Sequence, residues 1–225
     1  MLVAIDTATR LAGLALYDQA AGSVLCEEAW YSFNNHTIEL MPRLVRMMEQ
    51  QNITPADLTG LVVSLGPGSF TGLRIGLGVA KGLALAQELP LVGIPTLNVV
   101  AHPHKVQRLP IWAILKAGRG RICAGQYARH RGRWRRKGSF ELTTLEKLCD
   151  KVTEPCLFCG ELDADDTSLV QERLGTIATV ASPAASLRRA AYLAELGWER
   201  LSQGDNDDAT TLSPIYLHHL KPDAH

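Results

Sequence analysis

The sequence predicts an α/β protein, a mixed β-sheet with helices on its faces, built twice along the chain. Three observations carry this. Residues 2–33 hold three short apolar segments separated by tight turns, the pattern of an antiparallel meander. Residues 36–101 then alternate helical and strand-like segments, the pattern of parallel crossover units. Beyond a break near residues 102–109, strands and helices return in a shortened second copy.

The elements follow in order. LVAID (2–6) and LAGLALYD (11–18) read as strands, and residues 24–33 as a third. Asn34 and Asn35 are cap-type residues. After them Ile38, Met41, Leu44, Val45 and Met48 recur at helical spacing, with Leu40 and Met47 widening the stripe. Pro42 requires this helix to start near it or to kink there. Thr54-Pro55-Ala56-Asp57 is a helix start, but the helix is short because LVVSL (61–65) is a buried strand. A helix follows from the glycine-rich loop to about residue 88, then a strand at 91–94 and a brief helix at 96–101.

Three meander strands followed by two crossovers form the repeating unit of the actin-hexokinase-Hsp70 (ASKHA) class. In the second half, strands are expected at 110–116, 121–128, 133–142, 156–159, 176–181 and 215–217. Helices are expected from Thr144, at 168–174 and from Ser182-Pro183, the last with Leu187, Ala191, Ala194, Trp198 and Leu201 on one stripe. The expected subdomains are 1–103 and a smaller 104–225.

With 225 residues the chain is long enough for a proper core. Basic and acidic residues number 23 each, so the molecule as a whole is not a nucleic-acid glove. An acid near the N-terminus argues against a signal peptide, and no apolar run reaches the ~18 residues of a membrane helix, so a cytoplasmic protein without membrane contact is expected. Five scattered cysteines do not suggest a disulfide framework. Cys156-Leu-Phe-Cys159 has CxxC spacing, yet on a strand the two side chains point to opposite faces, and it reads as buried structure rather than a zinc or redox pair.

The most informative stretch is GPGSFTGLRIG, residues 66–76. Gly66, Gly68 and Ser69 would suit a backbone phosphate cradle before a helix N-terminus, but neither GxxxxGK[ST] nor GxGxxG is matched. Asp6 and Thr7, at the end of the first strand, are candidate nucleotide contacts, although Asp and Thr in a turn also satisfy backbone donors. Along the helix Gly72, Gly76, Ala80 and Ala84 fall four apart, and Gly78 and Gly82 add a second small row. Each interior glycine costs about 1 kcal/mol against alanine. Either the row packs on its own sheet, or it is kept bare for a partner helix. The second reading makes an interface of Leu40, Met41, Leu44, Met47, Met48, Leu73, Gly76, Leu77, Ala80, Leu83 and Ala84. It predicts that Gly76→Leu blocks the partner and leaves the monomer folded.

AIDTATRLAGLALYD, GPGSFTGLRIGLGVAKGLALA and GIPTLN together resemble the TsaB (YeaZ) family. LKAGRGRICAGQYARHR, with Lys116 where the family usually has an acid, and SPIYL resemble it more loosely. The resemblance implies a non-catalytic subunit of the machinery that makes threonylcarbamoyladenosine at position 37 of tRNAs reading A-starting codons. It implies a heterodimer with the catalytic subunit TsaD through the two N-terminal helices, joined by the ATPase TsaE. Self-association of the isolated chain stays open. ATP or ADP and a metal ion are expected in the partner subunits, and none is required by this chain. TsaD carries a His-x-x-x-His metal motif where this chain has Leu97, Asn98, Val99, Val100 and Ala101, and apolar groups do not hold a metal. His102 and His104 read as linker residues.

The run RHRGRWRRK (129–137) stands out in a neutral chain. It reads either as a solvated hairpin tip or as a tRNA phosphate contact through Arg131, Arg133, Arg135 and Arg136, with Trp134 free to stack. The competing function is an ATP-dependent phosphotransferase of the same fold class, for which the second half shows no further phosphate loop. A peptidase lacks a histidine partner for Ser69.

Overall fold

The computed structural model describes residues 1–33 and 35–217; Asn34, one of the two expected cap residues, lies outside them. Two compact units emerge. The first holds Met1–Thr96 and Arg189–Ile215, the second Leu97–Arg188 and the described residues from Tyr216 on. The expected division at residue 103 differs in two respects: residues 97–103 belong to the second unit, and Arg189–Ile215, with the last helix, belongs to the first.

The first unit is a five-stranded sheet in the order β3-β2-β1-β4-β5, with β1 at Leu2–Asp6, β2 at Leu11–Asp18, β3 at Ser23–Tyr31, β4 at Gly60–Gly66 and β5 at Leu91–Pro95. The meander is antiparallel, with Ile5 opposite Leu14, and the crossover strands are parallel, with Ile5 opposite Val63. Strand alternation divides the side chains between two layers. Val3, Ile5, Leu14, Leu16, Leu61 and Val63 join one core with the buried faces of α1 (His36–Gln50) and α2 (Phe70–Ala86). Gly13 and Val62 point the other way, against Ala190 and Gly197 of α6 (Ala190–Leu201).

Pro42 neither starts nor ends α1; it lies inside the helix and is exposed, so the carbonyl it leaves without an N–H lies where water reaches it. Thr54 and Asp57 form a reciprocal cap around a single 3-10 turn. Helix α6 does not open at Ser182-Pro183, where Ser182 caps only a short turn through the Ala185 amide at 3.3 Å. It opens at Ala190 because a carboxylate from β3 holds its N-terminus: Glu27 accepts from the Ala191 amide at 2.9 Å and pairs with Arg189 at 2.8 Å. Its buried face is Ala190, Ala191, Leu193, Ala194 and Gly197, and Leu187 of the expected stripe is exposed. The expected strand at 215–217 is not a strand; the Ile215 amide donates to the Leu65 carbonyl at 2.7 Å.

The second unit repeats the same order, β10-β9-β6-β7-β8, with β6 at Ile111–Gly118, β7 at Arg121–His130, β8 at Arg133–Thr143, β9 at Cys156–Gly160 and β10 at Ala178–Val180. This duplicated topology is that of the ASKHA class. Helices α4 (Leu145–Cys149) and α5 (Ala164–Leu174) close one face over Ile114, Ile122, Ala124 and Phe158. Helix α3 spans Thr96–Ala101. Within this unit the Tyr127 hydroxyl donates to Asn98 at 2.7 Å, and Cys159 approaches the Val100 carbonyl.

Helix α5 starts four residues earlier than its apolar pattern shows, because Asp163 and Asp166 form a reciprocal cap. Lys116 bonds Asp163 and pairs with Asp166 at 2.9 Å, and this holds the Asp163 carboxyl at about 2. A carboxyl depressed in the folded state contributes stability above its ordinary value and loses it as pH falls from about 4 to about 2. Lys116→Met is expected to raise the Asp163 value towards the ordinary carboxylate range and to shrink this acid-dependent loss. Carbon-detected NMR titration of the carboxyl checks the first, and acid unfolding checks the second.

Candidate functional site

The end of β1 lies against the start of α2, and glycines make this approach possible. A Cβ on Gly72 would overlap the Thr7 carbonyl, one on Gly76 the Thr7 hydroxyl, and one on Gly68 the Ala8 carbonyl. The Thr7 hydroxyl donates to the Gly72 carbonyl at 2.7 Å, and the Ser69 amide donates to the Ala8 carbonyl at 2.6 Å. The inner glycine row is therefore walled in by this chain's own first turn, which corrects the reading that it is kept bare for a partner helix.

The same contacts decide what the loop offers a phosphate. The Ser69 hydroxyl accepts from the Gly72 amide at 3.2 Å and so caps α2, and the Gly66 amide donates to the Thr96 hydroxyl at 3.0 Å. The amides of Gly66, Ser69 and Gly72 thus have acceptors within the chain. Asp6 is only 2% exposed and accepts from the Ser64 hydroxyl at 2.9 Å and the Ala8 amide at 3.0 Å. Thr7 is fully buried. The structure brings Asp6, Thr7, Gly66, Gly68 and Ser69 together, with Asp6, Thr7 and Gly66 buried and Gly68 and Ser69 exposed.

Of the residues expected at a partner interface, Leu40, Leu44, Met47, Met48, Leu73, Gly76, Leu77, Ala80 and Ala84 are buried within the first unit. Their helical stripes are the core faces of α1 and α2, so they do not reach a partner in this fold. Met41 remains exposed and Leu83 is half-buried. The available surface lies on the other sides of the two helices. On α1 it includes Ile38 (70% exposed), Met41 and Val45 (46%); on α2 it includes Leu85 (60%) with Gly78 and Gly82. A Cβ at Gly78 or Gly82 would meet nothing within 4 Å. Sequence periodicity offered a signal for this second surface, since Ile38 and Val45 recur on α1 and Gly78 and Gly82 form their own row.

His36, at the first position of α1, was not singled out in the sequence. It is buried beside Gly72, bonds the Thr9 carbonyl, and leaves its Nδ1 without a partner. Burial pushes its value below the ordinary histidine range, against the opposing pull of Glu39 and Asp6.

In the second unit, Arg131 sits in the turn between β7 and β8 with φ 50°, followed by Gly132 with φ 78°. Arg133 and Arg135 project together on one exposed face. Arg136 lies on the opposite face over the Phe140 ring at 4.2 Å. Trp134 is half-buried and stacks on Tyr127 at 6.2 Å between ring centres, on the face opposite Arg133 and Arg135. Cys156 and Cys159 are free thiols on opposite faces of β9, pushed by burial to about 11 and about 12. Among the described residues no cluster of three or more His, Cys, Asp or Glu side chains has metal-binding geometry. His102 pairs with Lys105 at 3.1 Å in a 3-10 turn.

The geometry matches known proteins along most of the chain. Residues 31–219 match the family model described as TsaD: tRNA N6-adenosine threonylcarbamoyltransferase. The tRNA threonylcarbamoyladenosine biosynthesis protein TsaB of Buchnera aphidicola (subsp. Schizaphis graminum) is 30% identical over 68% of this chain and 72% of its own length. The chain belongs to the TsaB (YeaZ) family. TsaB of Bacillus subtilis is 29% identical over 96% of this chain and 93% of its own. The structure of YeaZ from Pseudomonas aeruginosa superposes with a TM-score of 0.77 at 24% identity, covering 96% of this chain and 99% of that one, and bears out the fold.

Two tests follow from the joint. Gly76→Leu is expected to destabilise the isolated chain by about 3 kcal/mol or more, because the side chain has no space beside Thr7. Gly78→Ala and Gly82→Ala are each expected to stabilise it by roughly 0.5–1 kcal/mol through helix propensity; urea denaturation reads all three. A histidine held below its ordinary value of ~6.5 favours the folded state only while neutral, so stability is expected to fall as pH drops below about 6.5. The His36 ring is expected to stay neutral there in a ¹⁵N NMR titration.

Proposed function

We infer that the chain is an accessory subunit in tRNA threonylcarbamoyladenosine biosynthesis. In this reading it forms a heterodimer with TsaD and supports threonylcarbamoyl transfer to adenosine 37 without carrying the chemistry itself. The observation that carries it is the exposed side of α1 and α2. Interior glycines at Gly78 and Gly82 cost about 1 kcal/mol each, and among the described residues no packing contact offsets that cost. Leu85 shares their side of α2, and Ile38, Met41 and Val45 of α1 also present apolar side chains to solvent. A partner helix laid on this surface gains both close backbone approach and apolar burial.

The positions that resemble TsaD's metal motif support a non-catalytic role. Leu97, Val99, Val100 and Ala101 are buried core residues, and Asn98 is occupied by the Tyr127 hydroxyl. The phosphotransferase reading is weakened, since the amides of Gly66 and Ser69 are already bonded within the chain. TsaE joining the pair, and nucleotide held by the partner subunits, extend the same reading.

Val45→Asp with Leu85→Asp places two charges on the exposed surface without touching the core. The double variant is expected to keep its circular dichroism and thermal midpoint, to lose co-elution with TsaD in size-exclusion chromatography, and to fail in a reconstituted tRNA modification assay. Co-elution at wild-type strength, or full modification by TsaD in the absence of this chain, overturns the assignment.

A further inference from the structure

The basic run along β7 and β8 has an arrangement that its sequence did not disclose. Residues 129–137 contain Arg129, Arg131, Arg133, Arg135, Arg136 and Lys137 and no acid, leaving 17 basic against 23 acidic residues in the rest of the chain. The neutral total therefore hides a strongly cationic segment on an otherwise acidic protein. The hairpin register sorts these residues. Tyr127 lies opposite Arg136 and Arg129 opposite Trp134, so these four share one face. That face is engaged within the second unit: Trp134 stacks on Tyr127, Arg136 covers Phe140, and Arg129 donates to the Lys105 carbonyl at 3.3 Å.

The other face carries Arg133, Arg135 and Lys137, all exposed, with Arg131 at the tip. None of the ion pairs found among the described residues involves these four. Elsewhere the protein pairs its cations readily, as Lys116, Lys151, Arg173 and Arg200 all do. Alternate residues on a strand lie roughly 6.6–6.8 Å apart. Three cations at that interval form a row that matches successive phosphates along a nucleic-acid strand.

We propose that Arg131, Arg133, Arg135 and Lys137 form a contact for the phosphate backbone of RNA. Recognition is by charge and spacing, without base stacking, because Trp134 is turned to the opposite face of the hairpin, against Tyr127. The same orientation disfavours an anionic membrane, which basic segments hold most firmly when apolar side chains insert beside the charges. The choice of RNA over other polyanions rests on the tRNA-modification reading above; the geometry of the row does not.

The test uses the complex of the full chain with TsaD, and a tRNA transcript labelled for fluorescence anisotropy. The triple variant Arg133→Ala, Arg135→Ala, Lys137→Ala alters only exposed strand positions. It is expected to weaken tRNA binding roughly 10–100-fold at 100 mM salt and to lower the slope of log affinity against log salt by about 2. A second triple variant, with lysine at 133 and 135 and arginine at 137, is expected to bind within about threefold of wild type. Equal affinity and equal salt slope for the alanine variant overturn the proposal. So does binding of the wild-type complex to vesicles of phosphatidylserine and phosphatidylcholine with no binding to tRNA. Co-elution with TsaD is read on the same samples. Loss of tRNA binding with the complex intact speaks to this contact, whereas loss of the complex itself speaks to the assignment it rests on.

Discussion

The contact between the first turn and the glycine row is the constraint on which the first unit depends. Thr7 presents its carbonyl and hydroxyl to a helix face that has no Cβ at Gly72 and Gly76, and the Ala8 carbonyl lies against Gly68 and Ser69 just before that helix. The approach ties the end of the central strand β1 to the first two turns of α2. It also fixes the rotation of that helix. With 100° per residue, Gly78 lies about 200° around from Gly76 and Gly82 about 240°. Seating one glycine row inward therefore forces the other row outward, where a Cβ would meet nothing. A single packing requirement thus produces both a close joint at Thr7 and a bare exposed surface.

Much of the fold was legible in the sequence because it rests on local signals. Alternating apolar residues located the strands, and the order of meander and crossovers gave the sheet topology before any contact was known. Caps within a few residues of their helices were readable in principle, as Thr54 with Asp57 shows. Long-range control was not. Helix α6 starts where Glu27, 164 positions away from Ala191, accepts its amide, and no local pattern reports a carboxylate on a distant strand. The glycine row illustrates the same limit. Periodicity revealed a small-residue stripe and correctly implied close approach, but it carries no information on whether the approaching backbone belongs to this chain or another. The packing identifies the chain's own Thr7.

Electrostatics follow a similar division. Composition alone gives a neutral protein, and neutrality argues against polyanion binding only if charge is spread evenly. Here the acids are used locally. Asp163 and Asp166 cap a helix and hold Lys116, Glu27 caps another, and Asp205 and Asp207 clamp Arg200. Cations near those acids are neutralised, and the hairpin, which has none within its own run, keeps its charge. Strand alternation already separates Arg135 from Arg136, and the register adds that Arg136 shares its face with Tyr127, Arg129 and Trp134.

The positions that resemble an enzyme have been given over to packing. The carboxylate at the end of β1 is bonded to Ser64 and to the Ala8 amide, and has almost no solvent contact. Ser69 caps a helix. The residues from Leu97 to Ala101 fill a core and hold a tyrosine hydroxyl. Burial of this kind opposes catalysis, since a group already satisfied inside a dense interior must break those bonds before it serves a substrate. What the chain leaves unsatisfied is on its surface: interior glycines with nothing against them and cations with no carboxylate beside them. In the functional reading proposed above, other molecules answer both, the first with an apolar backbone and the second with phosphate. A subunit that works through contact rather than through chemistry is the reading under which both arrangements have a reason.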